Sequence, residues 1–483
     1  MKGINNKISI GEKIGYGLGD TASNLFFQIT IYWMTAFYLK TFGIKTDDLT
    51  VMFLITKIWD AINDPIMGAI ADKTRSKWGT YRPYLLWTAI PFGIIFIFTF
   101  TTPAALGLEF SYGAKLAYAY VTYTLMMTIY TIINVPYAAL MGVISPSATE
   151  RTVISSFRFV LVFIAQFIVQ FALMFMVAKF GDGTETSIYG WQRAIMVLAV
   201  LAVVLFLITF LTTKERSTLA EHERHSFLTN IKDISGNLPW LMIGGATVFQ
   251  LMFVCLRGGD ITLFFDEYVK TETVFGVDVT STVLKTNYLL WGTFFTIAGA
   301  VMTKWFTRIF GKSGAYCFFM LVVAVSCVPV FFLKPDQVVL MFVLQFATSF
   351  ALGPVSVLQW AIYTDTADYQ EWKNNRRSTA FIMAASLFAL KMGVAFGSSG
   401  LTKILSMFHF AQPTPEQQAL IDQGIQVVIQ QPESAITGIR LAMSVFPAIT
   451  AVLAMAFMLF YPLKQNKMEQ IESELQERRK ANA

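Results

Sequence analysis

The sequence predicts an all-α polytopic membrane protein with twelve transmembrane helices, arranged as two pseudo-symmetric bundles of six. Of its 483 residues, 55% are hydrophobic and only 14% are charged, and the mean hydropathy is +0.55. An average soluble domain carries about 25% charged residues, so this composition excludes soluble globular, disordered and collagen-like chains. Twelve helices of about 20 residues each also fit within this length.

Twelve apolar stretches are long enough to cross a hydrocarbon core roughly 30 Å thick. The predicted spans are 13–40, 49–72, 82–103, 113–143, 152–178, 191–213, 238–270, 282–303, 313–333, 337–365, 377–407 and 436–462. Residues 1–24 mix charge and glycine before any apolar stretch, which is unlike a signal peptide. We therefore expect the first span to be retained.

Lysine and arginine concentrate in alternate loops, which predicts that both termini face the cytoplasm. The cationic segments are 1–13, 73–82, 151, 214–232, 304–312, 373–377 and the tail after 461. The intervening loops, such as 414–433, are acidic or poor in cations. We expect a multi-pass protein of the cell inner membrane. The net charge of +6 sits in these loops, and no RNA-binding motif appears, so no nucleic-acid partner is expected.

A charged stretch at 212–237 divides the chain into halves of about six helices each. The predicted domains are an N-terminal bundle at 1–213, a cytoplasmic loop at 214–237, a C-terminal bundle at 238–462 and a cytoplasmic tail at 463–483. A Gly-Ala-Ile run at Gly68 recurs as Gly-Ala-Val at Gly299. Such weak repeats are typical of a duplicated six-helix unit and favour the major facilitator fold. We expect the tail to be helical and to serve solubility, with regulation as the alternative.

Three polar residues of the second span, Asp60, Asn63 and Asp64, are spaced so that a helix places them on one face. Two carboxylates one turn apart repel each other, and each costs roughly 2.5–3.5 kcal/mol at mid-span on insertion scales. A hard cation bound by carboxylate and amide oxygens would relieve both costs. Neutralisation by Lys57 is the structural alternative. The residues alone do not decide between a metal ion and a proton.

Other polar residues within the spans are candidates for binding a polar solute. Asp20, in a glycine-rich stretch of the first span, can accept hydrogen bonds from hydroxyl groups or pair with Arg158 of the fifth. Thr131 and Asn134 are one turn apart in the fourth span and suit either a solute or helix packing. Neighbouring aromatic rings suit the apolar face of a sugar, although packing is their commoner role. They are Tyr32, Trp59, Tyr137 and Trp360.

Charged residues also cluster at the cytoplasmic end of the tenth predicted span. Asp365, Asp368, Arg376 and Arg377 are expected to form a gate of ion pairs, with a solvated loop as the alternative. Lys391 is an isolated cation midway along the eleventh span. Because an unpaired cation is costly there, we expect it to pair across a cavity with an acid of the first two spans, in a structural or coupling role.

These motifs resemble those of the glycoside–pentoside–hexuronide:cation symporter family, within the major facilitator superfamily, over nearly the whole chain. The most specific ones are Gly19-Asp20, the run from Asp60 to Pro65 with Gly68, the run from Arg75 to Gly79 followed by Arg82-Pro83, and the run from Asp365 to Tyr369.

The resemblance implies cation-coupled symport of a glycoside, pentoside or hexuronide by alternating access. It implies a coupling-ion site at Asp60, Asn63, Asp64 and Thr131, with Na⁺ as the expected ion and H⁺ or Li⁺ as alternatives. It also implies sugar binding at Asp20 and Arg158, a polar position at Gln359 and a mid-membrane lysine at Lys391.

The chain departs from the family's galactoside carriers at three positions. A second sugar-binding acid of the fourth helix is Asn134 here, and two aromatic positions are Ala138 and Ser356. Because the aromatics that stack on a galactoside are missing, we expect a xyloside, another pentoside or a glucuronide instead. Asn134 in place of an acid also lowers the repulsion toward an anionic sugar such as a hexuronide.

The alternative functions are a proton-coupled exporter or importer of another small polar solute, and a non-transporting sensor or membrane enzyme. An enzyme is not expected, because no nucleophile–base pair or nucleotide loop appears. Three cysteines within apolar runs and three scattered histidines fit neither a disulfide framework nor a zinc site. No cofactor is expected beside the coupling ion. The expected partners are the sugar and the lipid bilayer, with the chain acting as a monomer.

Overall fold

The computed structural model describes residues 8–145, 148–216, 234–274, 276–374, 379–425 and 427–481, which are mostly helical. They divide into two compact units. Unit 1 comprises the described residues up to 216 together with 410–432, and unit 2 comprises those at 234–409 and from 433 onward. The predicted domain limits remain predictions.

The helices are α1 (Ile10–Tyr32), α2 (Thr46–Lys73), α3 (Arg82–Thr99), α4 (Tyr112–Ile144), α5 (Ala148–Phe180), α6 (Ile188–Thr212), α7 (Leu238–Leu263), α8 (Ser281–Cys327), α9 (Val338–Asn374), α10 (Thr379–Met407), α11 (Pro415–Asp422), α12 (Glu433–Met443), α13 (Val445–Leu459) and α14 (Gln465–Ala481). One short hairpin pairs β1 (Glu272–Val274) with β2 (Val277–Val279). π-Helical turns occur at Phe37–Phe42, after α1, and at Phe264–Val269, directly after α7.

Polar side chains begin several of these helices by accepting hydrogen bonds from otherwise unpaired N–H groups. Ser9 accepts from the amide of Glu12 at 3.2 Å in α1, and Asn237 accepts from the amide of Trp240 at 3.1 Å in α7. The start of α3 is held differently, because the carboxylate of Glu215 accepts from three successive amides at 2.7–2.9 Å. This contact joins the end of unit 1's sixth span to the start of its third.

Nine helical segments among the described residues are long and apolar enough to cross a membrane. Helices α1 and α2 are not among these nine segments, although they overlap the first two predicted spans. They carry the acidic residues singled out above. The 47-residue α8 covers the eighth predicted span and most of the ninth. Its backbone leaves the helical region between them, at Gly311, where φ is 68°, so α8 consists of two helical segments. The predicted all-α polytopic class is confirmed.

Aromatic packing fills the core of unit 1. Phe26 of α1 meets Phe92 and Phe96 of α3 edge-on, with ring centroids 6.3 and 5.3 Å apart. Glycines bring α1 close to its neighbours, since a Cβ at Gly15 would lie 1.9 Å from the Thr212 hydroxyl of α6. The close approach holds the polar face of α1 in a fixed position within unit 1.

The tail is a packed element of unit 2. In α14, Met468, Ile471 and Leu475 are buried in the same apolar cluster as residues of α7, α8 and α9. Trp372 at the end of α9 donates a hydrogen bond of 2.6 Å to Glu474. The tail is helical, as expected. It also packs against the other helices of unit 2, and a tail that only improves solubility does not require such packing.

Candidate functional site

Two carboxylates of α2 converge on one hydroxyl of α4 in unit 1. The Thr131 hydroxyl lies 2.9 Å from Oδ1 of Asp60 and 3.1 Å from Oδ1 of Asp64, in each case as the donor. Thr131 is 1% exposed and Asp60 is 5% exposed. The sequence-predicted residues of two different helices therefore meet in one buried cluster.

An amide side chain completes the cluster. Asn63 lies on the same face of α2 and is 8% exposed, and its amide nitrogen has no hydrogen-bond partner among the described residues. Pro65, inside α2, also removes a helical N–H and so frees a backbone carbonyl one turn earlier. Carboxylate, amide, carbonyl and hydroxyl oxygens are the ligands that hard cations prefer.

Lys57 lies one turn before Asp60 and is 4% exposed. Its ammonium group lies 3.7 Å from the sulfur of Met127 and 5.6 Å from the ring centre of Tyr123. Its long side chain thus reaches toward soft, polarisable groups of α4. Neutralisation of the carboxylates by Lys57 stays open as the alternative to a bound cation.

A second polar cluster of unit 1 contains Asp20 and Arg158. The two side chains form an ion pair between α1 and α5, which was one of the alternatives for Asp20. Asn24, one turn along α1, donates to Asp20 at 3.2 Å. The Arg158 side chain remains 34% exposed and that of Asp20 12%. A polar solute could therefore reach this pair.

Asn134 connects the two clusters along α4. It lies one turn after Thr131, and its side-chain oxygen accepts a hydrogen bond of 2.6 Å from Ser23 of α1. Ser23 is one turn from Asp20 on the same helix. Helix α4, which carries Thr131, therefore also contacts α1, which carries Asp20.

The aromatic candidates of unit 1 are largely engaged in packing. Tyr137 stacks on Tyr16 with ring centroids 4.6 Å apart, and each hydroxyl donates to the other residue's backbone carbonyl, at 2.8 and 3.1 Å. Tyr32, half-buried at the end of α1, meets Trp33 edge-on at 5.7 Å. Trp59 is 41% exposed and donates to Thr128 at 2.9 Å. Tyr137 therefore packs against α1, the helix that carries Asp20, and its hydroxyl is engaged with the backbone of that helix.

The remaining candidates lie in unit 2. Gln359 is 2% exposed with no partner for its amide nitrogen among the described residues, and Trp360 is 39% exposed beside Tyr363. Asp365 pairs with Lys312 at 2.7 Å. Asp368 and Lys391 are half-buried on α9 and α10. Arg376 and Arg377 lie outside the described residues, so the predicted gate of ion pairs stays a prediction.

The match to known proteins extends over most of the chain. The sequence model of the family described as MFS/sugar transport protein matches residues 15–465. The chain belongs to this family. It is therefore a multi-pass membrane transporter and not an enzyme, as predicted.

Individual members of the sugar transport family align with the chain over most of their length. Inner membrane symporter YicJ of Escherichia coli (strain K12) is 35% identical over 81% of each chain. Putative glycoside/cation symporter YagG of the same strain is 31% identical over 98% of this chain and 96% of its own. The isoprimeverose transporter of Lactiplantibacillus pentosus is 28% identical over 83% and 81%. The resemblance to the glycoside–pentoside–hexuronide:cation symporters is confirmed.

Solved structures agree on the fold. A crystal structure of a D-xylose-proton symporter aligns with a TM-score of 0.59 at 14% identity, covering 94% of this chain and 97% of that one. At so low an identity the likeness concerns the fold alone, and the predicted major facilitator fold is confirmed.

Sequence reasoning missed a charged pair of this transporter. Arg257 and Asp260 lie one turn apart on α7 and are 4% and 0% exposed. Arg257 donates to the hydroxyl of Tyr288 at 2.7 Å, while both carboxylate oxygens of Asp260 have no hydrogen-bond partner among the described residues. The rule that singled out Asp60 and Asp64, namely ionisable residues inside a predicted span, applies equally here and would have found them.

Proposed function

We propose that the chain is a cation-coupled symporter of a glycoside, working by alternating access, with Na⁺ as the coupling ion. The observation that carries the proposal is the Thr131 hydroxyl within 3.1 Å of both Asp60 and Asp64, because it gathers oxygens from two helices around one point. Carboxylate and hydroxyl oxygens that converge in this way are the ligands that a hard cation prefers.

Within unit 1, the sugar is proposed to bind at Asp20 and Arg158, with Asn134 and Tyr32 as further contacts. The sugar-binding roles of Gln359 and Trp360, in unit 2, stay predictions from the sequence. A carboxylate and a guanidinium together accept from and donate to sugar hydroxyls. The partial exposure of Arg158 leaves donor groups free for this purpose. The transport of isoprimeverose by one relative supports a xyloside among the candidate substrates.

Coupling is proposed to run through α4. A cation at the carboxylates would draw Thr131 toward α2, and Asn134, one turn along, would move with it against Ser23 of α1. Positioning Asn134 and Asp20 in this way would raise the affinity for sugar. Coupling is reciprocal, so bound sugar would raise the affinity for the cation by the same factor.

The test is thermal stabilisation of the purified chain by xylosides, glucuronides and galactosides in Na⁺, Li⁺ or K⁺ at two pH values. A ligand that binds only the native state raises the melting temperature. We expect stabilisation by a xyloside or glucuronide that requires Na⁺ or Li⁺. The Asp60→Asn variant should lose this ion dependence, and Asp182→Asn, at an exposed loop acid, should keep it.

The other outcomes decide against parts of the proposal. Stabilisation by sugar that follows pH but ignores Na⁺ would assign the carboxylates to proton coupling. A response to galactosides alone would contradict the substrate expected from Asn134. No response to any sugar, in a chain that still unfolds cooperatively, would favour the transporter of another polar solute.

A further inference from the structure

Unit 2 contains a cavity whose lining includes no residue of the proposed cation and sugar sites. It has a volume of about 1170 Å³ and lies where the break in α8, the end of α9 and the start of the tail meet. Its charged lining consists of four cations and two carboxylates: Arg308, Lys312, Lys464, Lys467, Asp365 and Glu469. The excess of cations makes the cavity suited to an anion.

Two of these four cations, Lys312 and Lys467, already have contacts within the protein. Lys312 pairs with Asp365 at 2.7 Å, and Lys467 lies 4.8 Å from the ring centre of Trp372. The other two are available to a ligand. Arg308 and Lys464 are exposed, and neither side chain makes an ion pair or hydrogen bond within the described part of the chain. A guanidinium and an ammonium group therefore face the cavity with their donors unused.

The N-terminus of a helical segment adds partial positive charge to the cavity. Gly311 interrupts α8 at φ 68°, so a new helical segment begins at Lys312, and its first residues line the cavity. The first N–H groups of a helix and its dipole favour a negative charge at that end. The segment runs to Cys327 and is long enough for this effect.

A buried hydroxyl beside the cavity lacks a partner. Tyr461 is 5% exposed, lines the cavity, and its hydroxyl has no hydrogen-bond partner among the described residues. Burial, followed by the negative charge of Asp365, raises the pKa of Tyr461 above its ordinary value, which keeps the hydroxyl protonated as a donor. An anionic oxygen would satisfy it.

We propose that this cavity binds a phosphate-bearing anion and thereby fixes the docked tail. Phosphate oxygens match the guanidinium of Arg308, the ammonium of Lys464, the helix start after Gly311 and the Tyr461 hydroxyl. One wall belongs to the tail, so a ligand joins α14 to α8. The anion is either a phospholipid headgroup or a free phosphate ester, and the exposed Ile309 and Phe310 at the rim suit acyl chains.

The probes are dioctanoyl phosphatidylglycerol, glycerol phosphate and, as the zwitterionic control, dioctanoyl phosphatidylcholine, each titrated against the melting temperature of the full chain in neutral detergent. Stabilisation by phosphatidylglycerol alone identifies a lipid. Stabilisation by glycerol phosphate as well identifies a free phosphate ester. Equal stabilisation by phosphatidylcholine, or none by any probe, overturns the proposal.

Matched variants locate the effect. Arg308→Gln and Lys464→Gln should each raise the half-saturating concentration about fivefold, since one basic residue contributes about 1 kcal/mol to attraction of an anionic headgroup. Lys304→Gln removes an equally exposed cation one turn away on α8 that does not line the cavity, and it should leave the titration unchanged. Equal effects of Arg308→Gln and Lys304→Gln would overturn the site.

Two further measurements address the hydroxyl and the tail. Tyr461→Phe removes an unpaired buried group, so it should preserve the fold and still weaken anion binding without changing the charge. The anion should also slow hydrogen exchange in 465–481. Exchange that does not respond to a stabilising anion would overturn the link between the cavity and the tail.

Discussion

Thr131 is the residue on which the proposed ion site depends most directly. Its hydroxyl, on α4, donates to Asp60 at 2.9 Å and to Asp64 at 3.1 Å, and so connects α4 with both carboxylates of α2. A hydrogen bond to a charged group is worth about 1.5–3 kcal/mol. We therefore expect Thr131→Val to weaken Na⁺ binding about tenfold or more. The measurement is the Na⁺ concentration that gives half-maximal stabilisation by sugar.

The matched control is Thr131→Ser, which keeps the hydroxyl and removes one methyl group. It should retain Na⁺ dependence within a few-fold. Equal Na⁺ affinities in the valine and serine variants would remove the hydroxyl from the ion site, and the convergence of the two carboxylates would then be structural.

Asp20 and Arg158 are expected to respond as a pair. Removing one partner of a buried pair costs about 3–5 kcal/mol because it leaves an uncompensated charge, and the 34% exposure of Arg158 reduces that cost here. Arg158→Gln should therefore lower the melting temperature and abolish sugar binding. The double variant Asp20→Asn/Arg158→Gln should recover the melting temperature and still fail to bind sugar. Recovery of both would show that the pair is purely structural.

Single residues also show how far sequence reasoning reaches. Helical spacing alone places Asp60, Asn63 and Asp64 on one face, because local periodicity fixes it. The contact of Thr131 with them depends on how α4 packs on α2, which spacing does not reveal, and only the family resemblance suggested it. The stacking of Tyr137 on Tyr16 could not be predicted for the same reason.

The crossing of α8 and α9 is set by two glycines. A Cβ at Gly353 would lie 2.1 Å from the carbonyl oxygen of Thr296, and one at Gly299 would lie 2.0 Å from that of Phe350. Backbone atoms cannot yield as a side chain can. We expect Gly353→Ala to destabilise unit 2 by about 1–3 kcal/mol, the usual range for overpacking, measured by thermal unfolding.

The control for this prediction is Gly113→Ala, at an exposed position of α4 where a Cβ would meet no heavy atom within 4 Å. Alanine should be neutral or stabilising there by about 0.5–1 kcal/mol, because glycine is the poorer helix former. Similar losses at both positions would show that general helix effects, rather than the α8–α9 contact, govern the change.

The docking of α14 should depend on pH. Hydrogen bonds from Trp372 and then Gln470 lower the pKa of Glu474 below its ordinary value. The ionised carboxylate therefore stabilises docking above the ordinary carboxyl pKa, and that contribution is lost as the pH falls through the lowered value. We expect hydrogen exchange in α14, corrected for the intrinsic rate, to accelerate on acidification.

Neutral variants separate this contact from general effects of acid. Glu474→Gln should exchange faster than the natural chain at neutral pH and lose most of the pH dependence. Glu477→Gln removes an exposed acid of the same helix and should behave like the natural chain. Unchanged exchange in Glu474→Gln would mean that apolar burial alone holds the tail.

At the level of elements, hydropathy predicted where most helices lie but not how they continue or dock. It placed two spans at 282–303 and 313–333, and the structure separates the two helical segments of α8 between them, at Gly311. The charged composition of α14 suggested a solvated tail. Its Met468, Ile471 and Leu475 are instead buried, because their spacing gives α14 one apolar face that packs on unit 2.

Residues 410–432 belong to unit 1, although the chain before and after them belongs to unit 2. They follow α10 and precede α12, both of unit 2. Lys115 at the start of α4 pairs with Asp422 of α11 at 2.7 Å, and Gln412 donates to the carbonyl of Ile44 at 3.4 Å. Contacts between segments so far apart in sequence leave no local pattern, so the sequence could not predict them.

These contacts divide the loops of unit 1 into two sets. Residues 44, 115 and 412–422 meet at one end of the unit. At the other end, Arg216 pairs with Glu12 and its amide donates to the carbonyl of Val143, while Glu215 binds the start of α3. The second set contains the cation-rich loops, so the positive-inside rule predicts that it faces the cytoplasm.

This orientation predicts which engineered cysteines a membrane-impermeant maleimide can reach. Gln423→Cys, at an exposed position beyond α11, should be labelled on intact cells, whereas Glu477→Cys, in the tail, should be labelled only after the membrane is broken. The natural chain controls for Cys255 and Cys327, which are buried, and Cys317, which is partly buried. Labelling of Glu477→Cys on intact cells would reverse the assignment. It would also place the proposed anion cavity on the outer face, where a cytoplasmic phosphate ester could not reach it.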